Sequence, residues 1–167
     1  MTTQKILIAG IGNELRQDDA FGMELVKQLK IEELPKGAKI QEVGIGGIHL
    51  VQELHENYSM LIMVDAVEWG EPPGHVYLRE VESISDINEM PLHEKRAFLA
   101  DMHYTNPMRA LMLAKALKVI PLKVYMLGCE AVRYDDFEMG LSPEVEQAIP
   151  VAILRLRQML PHVGNAN

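Results

Sequence analysis

One cysteine, three phenylalanines, one tryptophan and no excess of positive charge: the chain is defined first by what it has little of. Cys129 alone cannot close an internal disulfide, so the fold is expected to stand without covalent staples. Its first residues pass from a short apolar run straight into a glycine turn and lack the apolar core of a secretory signal. Together these features give a cytoplasmic protein as the expectation. No stretch reaches the ~20 apolar residues a membrane helix needs, and the longest candidates carry lysine or arginine inside them. With 16 Lys and Arg against 24 Asp and Glu, the net charge is −8. Such a chain has no basic stripe to displace counterions from a phosphate backbone, so nucleic acid is not an expected partner. Few aromatic rings are available for the core, and 11 methionines offer adaptable thioethers beside them.

What is present describes an ordinary globular chain: 167 residues, 48% apolar and 24% charged. That is long enough for one core, so a single domain over residues 1–160 is expected, with 161–167 as a tail that frays. Apolar periodicity alternates between the two regular spacings. Strands are predicted at 5–9, 39–43, 60–64 and 123–127, and helices at 20–29 and 48–54. Beyond the turn-rich Gly70-Glu71-Pro72-Pro73-Gly74, residues 75–79 read as an added edge strand. Residues 81–101, broken by Pro91, read as loop with a short helix. Asn106-Pro107 signals a helix through Leu117, and Ser142-Pro143-Glu144 signals another over 143–160. Alternation of this kind implies a mostly parallel sheet with helices on both faces.

The chemistry concentrates after the first strand, in Gly10-Ile11-Gly12-Asn13-Glu14-Leu15-Arg16-Gln17-Asp18-Asp19. A glycine turn there suggests a nucleotide loop, yet Arg16 and Gln17 stand where the third glycine of that fingerprint would fall. Two acids at a helix start would also repel a pyrophosphate, so a metal or cationic group is the better-matched guest and a nucleotide-binding domain the weaker reading. In parallel sheets ligands gather beyond the carboxyl ends of strands. Asp18 and Asp19 follow the first strand, Asp65 ends the very apolar 60–64, and His103 precedes the helix opened by Asn106-Pro107. Two carboxylates and an imidazole would leave a divalent metal with open coordination positions.

Simpler roles compete for each of these residues. One of Asp18 and Asp19 can cap the helix, where a negative charge suits the dipole. Asp65 can cap a turn. His103, one of six histidines, reads on physics alone as an ordinary solvated side chain. His93-Glu94 lacks the second histidine of a zinc-protease helix, since position 97 is Ala97. There is no Gly-x-Ser-x-Gly elbow. Cys129 reads as a small buried side chain in preference to a thiol nucleophile.

The segment from Ile8 through Gly22, Val64-Asp65-Ala66-Val67, His103 and Gly140-Leu141-Ser142-Pro143-Glu144-Val145 together resemble, in order and spacing, the hydrogenase maturation endopeptidases. The resemblance implies a single-domain three-layer α/β/α fold with a mostly parallel twisted central sheet of about five strands. It implies removal of a C-terminal peptide from the large-subunit precursor of a nickel–iron hydrogenase after nickel insertion. The nickel would be carried by the substrate, with no organic cofactor, and met by Asp19, Asp65 and His103. The general base is left unassigned. A non-catalytic nickel-binding or chaperone module that recognises the precursor is the alternative. Many relatives carry Asp-Gly-Gly-Thr after the second strand, where this chain has Glu42-Val43-Gly44-Ile45-Gly46-Gly47.

Overall fold

Continuous apolar runs rich in Ile, Leu, Val and Met form the central strands of the computed structural model, which describes residues 4–100 and 106–164. Strands β1 (Ile6–Ile11), β2 (Ala38–Gly44), β3 (Met60–Val67), β4 (Val76–Glu80) and β5 (Lys123–Glu130) make one sheet in the order β2-β1-β3-β5-β4. β4 runs antiparallel to β5 at the edge, and the other pairings are parallel. Helices α1 (Phe21–Gln28), α2 (Gly47–Leu54), α3 (Leu92–Ala100), α4 (Pro107–Ala116) and α5 (Pro143–Gly164) complete the chain.

Side chains alternate across each strand, which divides the core in two. Ile6, Ile8, Ile62 and Val64 pack with Phe21 and Leu25 of α1 and with Val145 and Leu156 of α5. Leu7, Ala9, Leu61 and Met63 pack on the opposite face with Leu50 and Leu54 of α2 and Leu111 of α4. Strands buried on both faces need near-continuous apolar sequence, and β1 is buried at every position. α3 is a satellite: Phe98 is its buried residue and joins Ile87 and Met112 in a small separate cluster.

The expected architecture is present, with particular boundaries moved. β3 continues through Asp65 to Val67, so Asp65 lies within the strand and is not simply a residue following it. β5 continues to Glu130, which brings Gly128, Cys129 and Glu130 into the sheet. The segment expected to be loop with one short helix holds a 3-10 turn at Ile87–Glu89 as well as α3. Asn106 caps α4 as expected, its side chain accepting the Met108 N–H at 3.0 Å, with Pro107 in the first turn. Ser142 does something else: its hydroxyl donates to the buried Asp18 carboxylate. α5 runs past Leu160 to Gly164, and residues 165–167 of the expected tail lie outside the described residues.

Candidate active site

The chain leaves β1 through Gly12, whose φ is +126° and where a Cβ would stand 1.8 Å from the Asp19 carbonyl oxygen. Only glycine fits such an approach. The turn folds back on itself, and the Asn13 N–H donates to Asp19 Oδ2 at 3.1 Å. Gly22 then lets α1 press onto the sheet, since a Cβ there would come within 2.1 Å of the Val64 carbonyl oxygen. Asp65 approaches the same place from β3: its Oδ1 lies 3.6 Å from where a Cβ on Gly12 would be. The two acids therefore meet beyond β1 and at the end of β3. These neighbouring strands are where the order of the sheet reverses, the usual position of a ligand crevice.

Asp65 is almost fully buried, and its Oδ1 has no hydrogen-bond partner among the described residues. Burial first, and the Asp19 charge second, push its carboxyl up to about 8 against a single opposing contribution from the Ala66 N–H. Left to itself this acid holds a proton at neutral pH. A cation placed between the two aspartates would reverse the sign of that interaction.

Asp18 and Asp19 have separate fates, and neither side chain caps α1. Asp18 is completely buried. It accepts the N–H groups of Val132 (2.9 Å), Arg133 (3.0 Å) and Ser142 (2.7 Å), together with the Ser142 hydroxyl (2.9 Å). It thereby ties the connection between β5 and α5 to the turn after β1. Asp19 instead lines an open cleft of ≈ 180 Å³ with Ala66, Val67, Glu68, Ala131 and Tyr134. Hydrogen bonding to Glu68 and burial push the Tyr134 phenol up to about 12, so it stays neutral in the cleft wall with its hydrogen donated to Glu68.

Glu130, at the end of β5, was not singled out in the sequence. It is 5% exposed and accepts from the Trp69 N–H (3.0 Å), the Gly70 N–H (3.1 Å) and the Tyr77 hydroxyl (2.7 Å). Burial opposes its charge, but Tyr77 and the N–H groups of Trp69, Gly70 and Glu71 together hold its pKa below the ordinary carboxylate value. The bound segment directly follows the cleft wall Ala66-Val67-Glu68. A signal existed: Glu130 ends an apolar run as Asp65 does, but the strand had been expected to stop at Leu127.

Cys129 is buried and free, with burial as the main cause that pushes its thiol up to about 12. It is a packing residue in the larger core cluster, as expected. His103 lies outside the described residues, and among the described residues no three His, Cys, Asp or Glu side chains converge as a metal site. No helix among the described residues is long and apolar enough to cross a membrane.

Fold and site define an α/β protein whose cleft, at the reversal point of the sheet, is built around carboxylates and not around a phosphate loop. The chain belongs to the hydrogenase maturation protease family, whose sequence profile matches residues 23–158. It is 35% identical over 167 residues to the coenzyme F420 hydrogenase subunit delta of Methanothermobacter thermautotrophicus, covering 96% of this chain and 95% of that one. It is 31% identical over 163 residues to the hydrogenase expression/formation protein HupD of Thiocapsa roseopersicina, covering 96% and 69%. Among solved structures it resembles the hydrogenase maturating endopeptidase HybD from E. coli, with TM-score 0.72 and 25% identity over 96% of this chain and 94% of that one. A hydrogenase 2 maturation peptidase from a Thaumarchaeota archaeon superposes with TM-score 0.64 and 31% identity, over 94% and 98%. The protein is accordingly an endopeptidase of hydrogenase maturation, and the expected family and reaction class hold.

Proposed function

We propose that this endopeptidase removes a C-terminal peptide from the nickel-loaded large-subunit precursor of a nickel–iron hydrogenase, meeting the nickel of its substrate through Asp19, Asp65 and His103. The observation that carries the reading is the orphaned Asp65 Oδ1, set beside a second acid and pushed toward neutrality by burial first and by that acid's charge second. Two like charges beside one glycine are unfavourable in isolation and favourable around a divalent cation. Carboxylate and imidazole donors suit nickel that already has other ligands in the substrate.

In this reading, recognition and positioning are a single event. Gripping the metal fixes the precursor against the cleft, so the scissile bond is held where a water can attack it. Asp19 holds its geometry through the Asn13 N–H, while Asp18 and Glu130 brace the two walls. The buried Cys129 thiol, neutral at physiological pH, supplies no nucleophile, which favours hydrolysis by water.

The test is mass measurement of the large subunit after mixing purified protein with nickel-loaded and nickel-free precursor. Loss of a C-terminal peptide only from the loaded form is expected. Complex formation with intact mass in both would instead favour a chaperone role. Asp65→Ala and His103→Ala should each stop processing while the protein stays folded by circular dichroism. Processing at the wild-type rate by either variant overturns the three-residue assignment.

A further inference from the structure

Large apolar side chains stand exposed near the carboxyl ends of β1, β2 and β5, the end of the sheet that carries Asp19 and Asp65, among them Leu15, Ile45, Ile48, Phe137 and Met139. Single exposed apolar residues need no explanation, but these occupy segments joined to one another. The Gly12 N–H donates to the Gly44 carbonyl at 3.1 Å, which joins the turn carrying Leu15 to the one carrying Ile45. The Gln17 N–H donates to the Glu138 carbonyl at 2.8 Å, and its side-chain amide donates to the Glu138 carboxylate at 3.2 Å, between Phe137 and Met139.

This exposure is built in. Gln17 adopts φ +51°, an unfavourable conformation for a residue other than glycine, while making the pairing to Glu138. Asp18 clamps the same connection at Val132, Arg133 and Ser142. Phe137 at 83% exposure and Met139 at 75% are therefore held out by a braced loop and are not fraying from a loose one. Aromatic residues and methionine displayed on a pre-organised loop are the composition that protein interfaces favour.

Charge then selects the partner. Asp135, Asp136 and Glu138 interleave with Phe137 and Met139, Glu42 adds a further exposed acid at the end of β2, and none of these four is in a salt bridge among the described residues. Of the bases on these segments, Arg16 lies over the Tyr134 ring at 6.0 Å and Arg133 is the other. An apolar surface edged by uncompensated acids fits a segment that carries apolar side chains among lysines or arginines.

We propose that this surface docks the hydrogenase precursor through such an apolar and basic segment, distinct from the metal-binding residues and from the scissile bond. The proposal rests on the processing function above. It separates two tasks: the acids of the cleft act on the bound centre, and the braced loop captures the surrounding polypeptide. Docking of this kind sets KM and leaves kcat to the cleft.

The experiment measures processing of the nickel-loaded precursor by the full chain at several precursor concentrations, for wild type, F137S/M139S, F137L/M139L and L122S. Leu122, 90% exposed just before β5 at the opposite end of the sheet, is the control. Removing two central interface side chains should raise KM about tenfold with kcat within about twofold. F137L/M139L should recover most of the affinity, L122S should match wild type, and added salt should raise the wild-type KM. Wild-type KM in F137S/M139S overturns the docking surface, as does sedimentation showing a wild-type dimer that this variant dissociates. Those results leave the processing function standing. A wild-type protein that never cleaves the loaded precursor overturns that function, and this proposal with it.

Discussion

Two buried acids stand at the ends of neighbouring strands, and they differ in nearly everything except burial. Glu130 on β5 receives backbone N–H groups and a phenol, and stays ionised below the ordinary carboxylate range. Asp65 on β3 has an oxygen with no partner and a like charge nearby, and is pushed up to about 8. Donors decide the difference: burial penalises both charges, and only one is compensated. The satisfied acid holds a loop in place. The unsatisfied one is, in the function proposed above, the group that would gain a partner from the substrate's metal.

Substitution at Asp65 should separate activity from stability most strongly. Asp65→Asn should lower processing by a thousandfold or more, roughly the scale of losing a group that positions the reacting centre. Its thermal midpoint should hold or rise, because the fold no longer has to bury a carboxyl that is ionised in the unfolded chain at neutral pH. Single-turnover mass measurement and calorimetry check both halves, and a variant that is active or clearly destabilised would erase the contrast with Glu130. Glu130→Ala should behave in the opposite sense. It strands backbone N–H groups under the cleft wall and should destabilise by about 3 kcal/mol in urea unfolding, since each unsatisfied buried group costs on the order of 1–3 kcal/mol. Unchanged stability would mean that water replaces the carboxylate without loss.

The pH dependence of unfolding of the metal-free protein sharpens the same comparison. Because the Asp65 pKa is raised in the fold, its contribution is fully present below the unfolded value of 3.8 and is lost as pH rises through about 8. Glu130 has the reverse sign: its contribution is present above the unfolded value of 4.5 and is lost as pH falls through its lower folded pKa. Asp65→Asn should flatten the alkaline limb and leave the acid limb intact. Urea midpoints measured across pH test this, and an unchanged alkaline limb contradicts the assignment. The smallest effect is expected from Tyr77→Phe, which removes one donor from Glu130 and leaves its N–H partners in place. It should cost less than half of what Glu130→Ala costs in the same titration.

Much of the fold was legible because its signals are local. The run Ile6-Leu7-Ile8-Ala9 reads as a buried strand wherever it occurs, and Asn106-Pro107 announces a helix that begins there. The edge strand after the Pro-Gly turn was equally readable, since β4 alternates and follows punctuation. Boundaries shifted where an apolar run continued into polar residues: β3 absorbed Asp65, and β5 absorbed Glu130. At the site, the turn after β1 and Asp65 stand out in the sequence because each closes an apolar run, and the fold brings the two side by side. The work of Asp18 could not, because Val132, Arg133 and Ser142 are more than a hundred residues away from it.

The sequence by itself determined the alternating elements, the two-sided burial of the central strands and the glycine turn with its pair of acids, since all of these follow from side-chain type and spacing. Only the tertiary structure decided which aspartate braces a loop and which faces the cleft. It also decided which buried acid keeps its charge and which holds a proton. Ionisation and hydrogen bonding depend on the donors, charges and solvent around a group, and the fold gathers these from segments far apart in the chain.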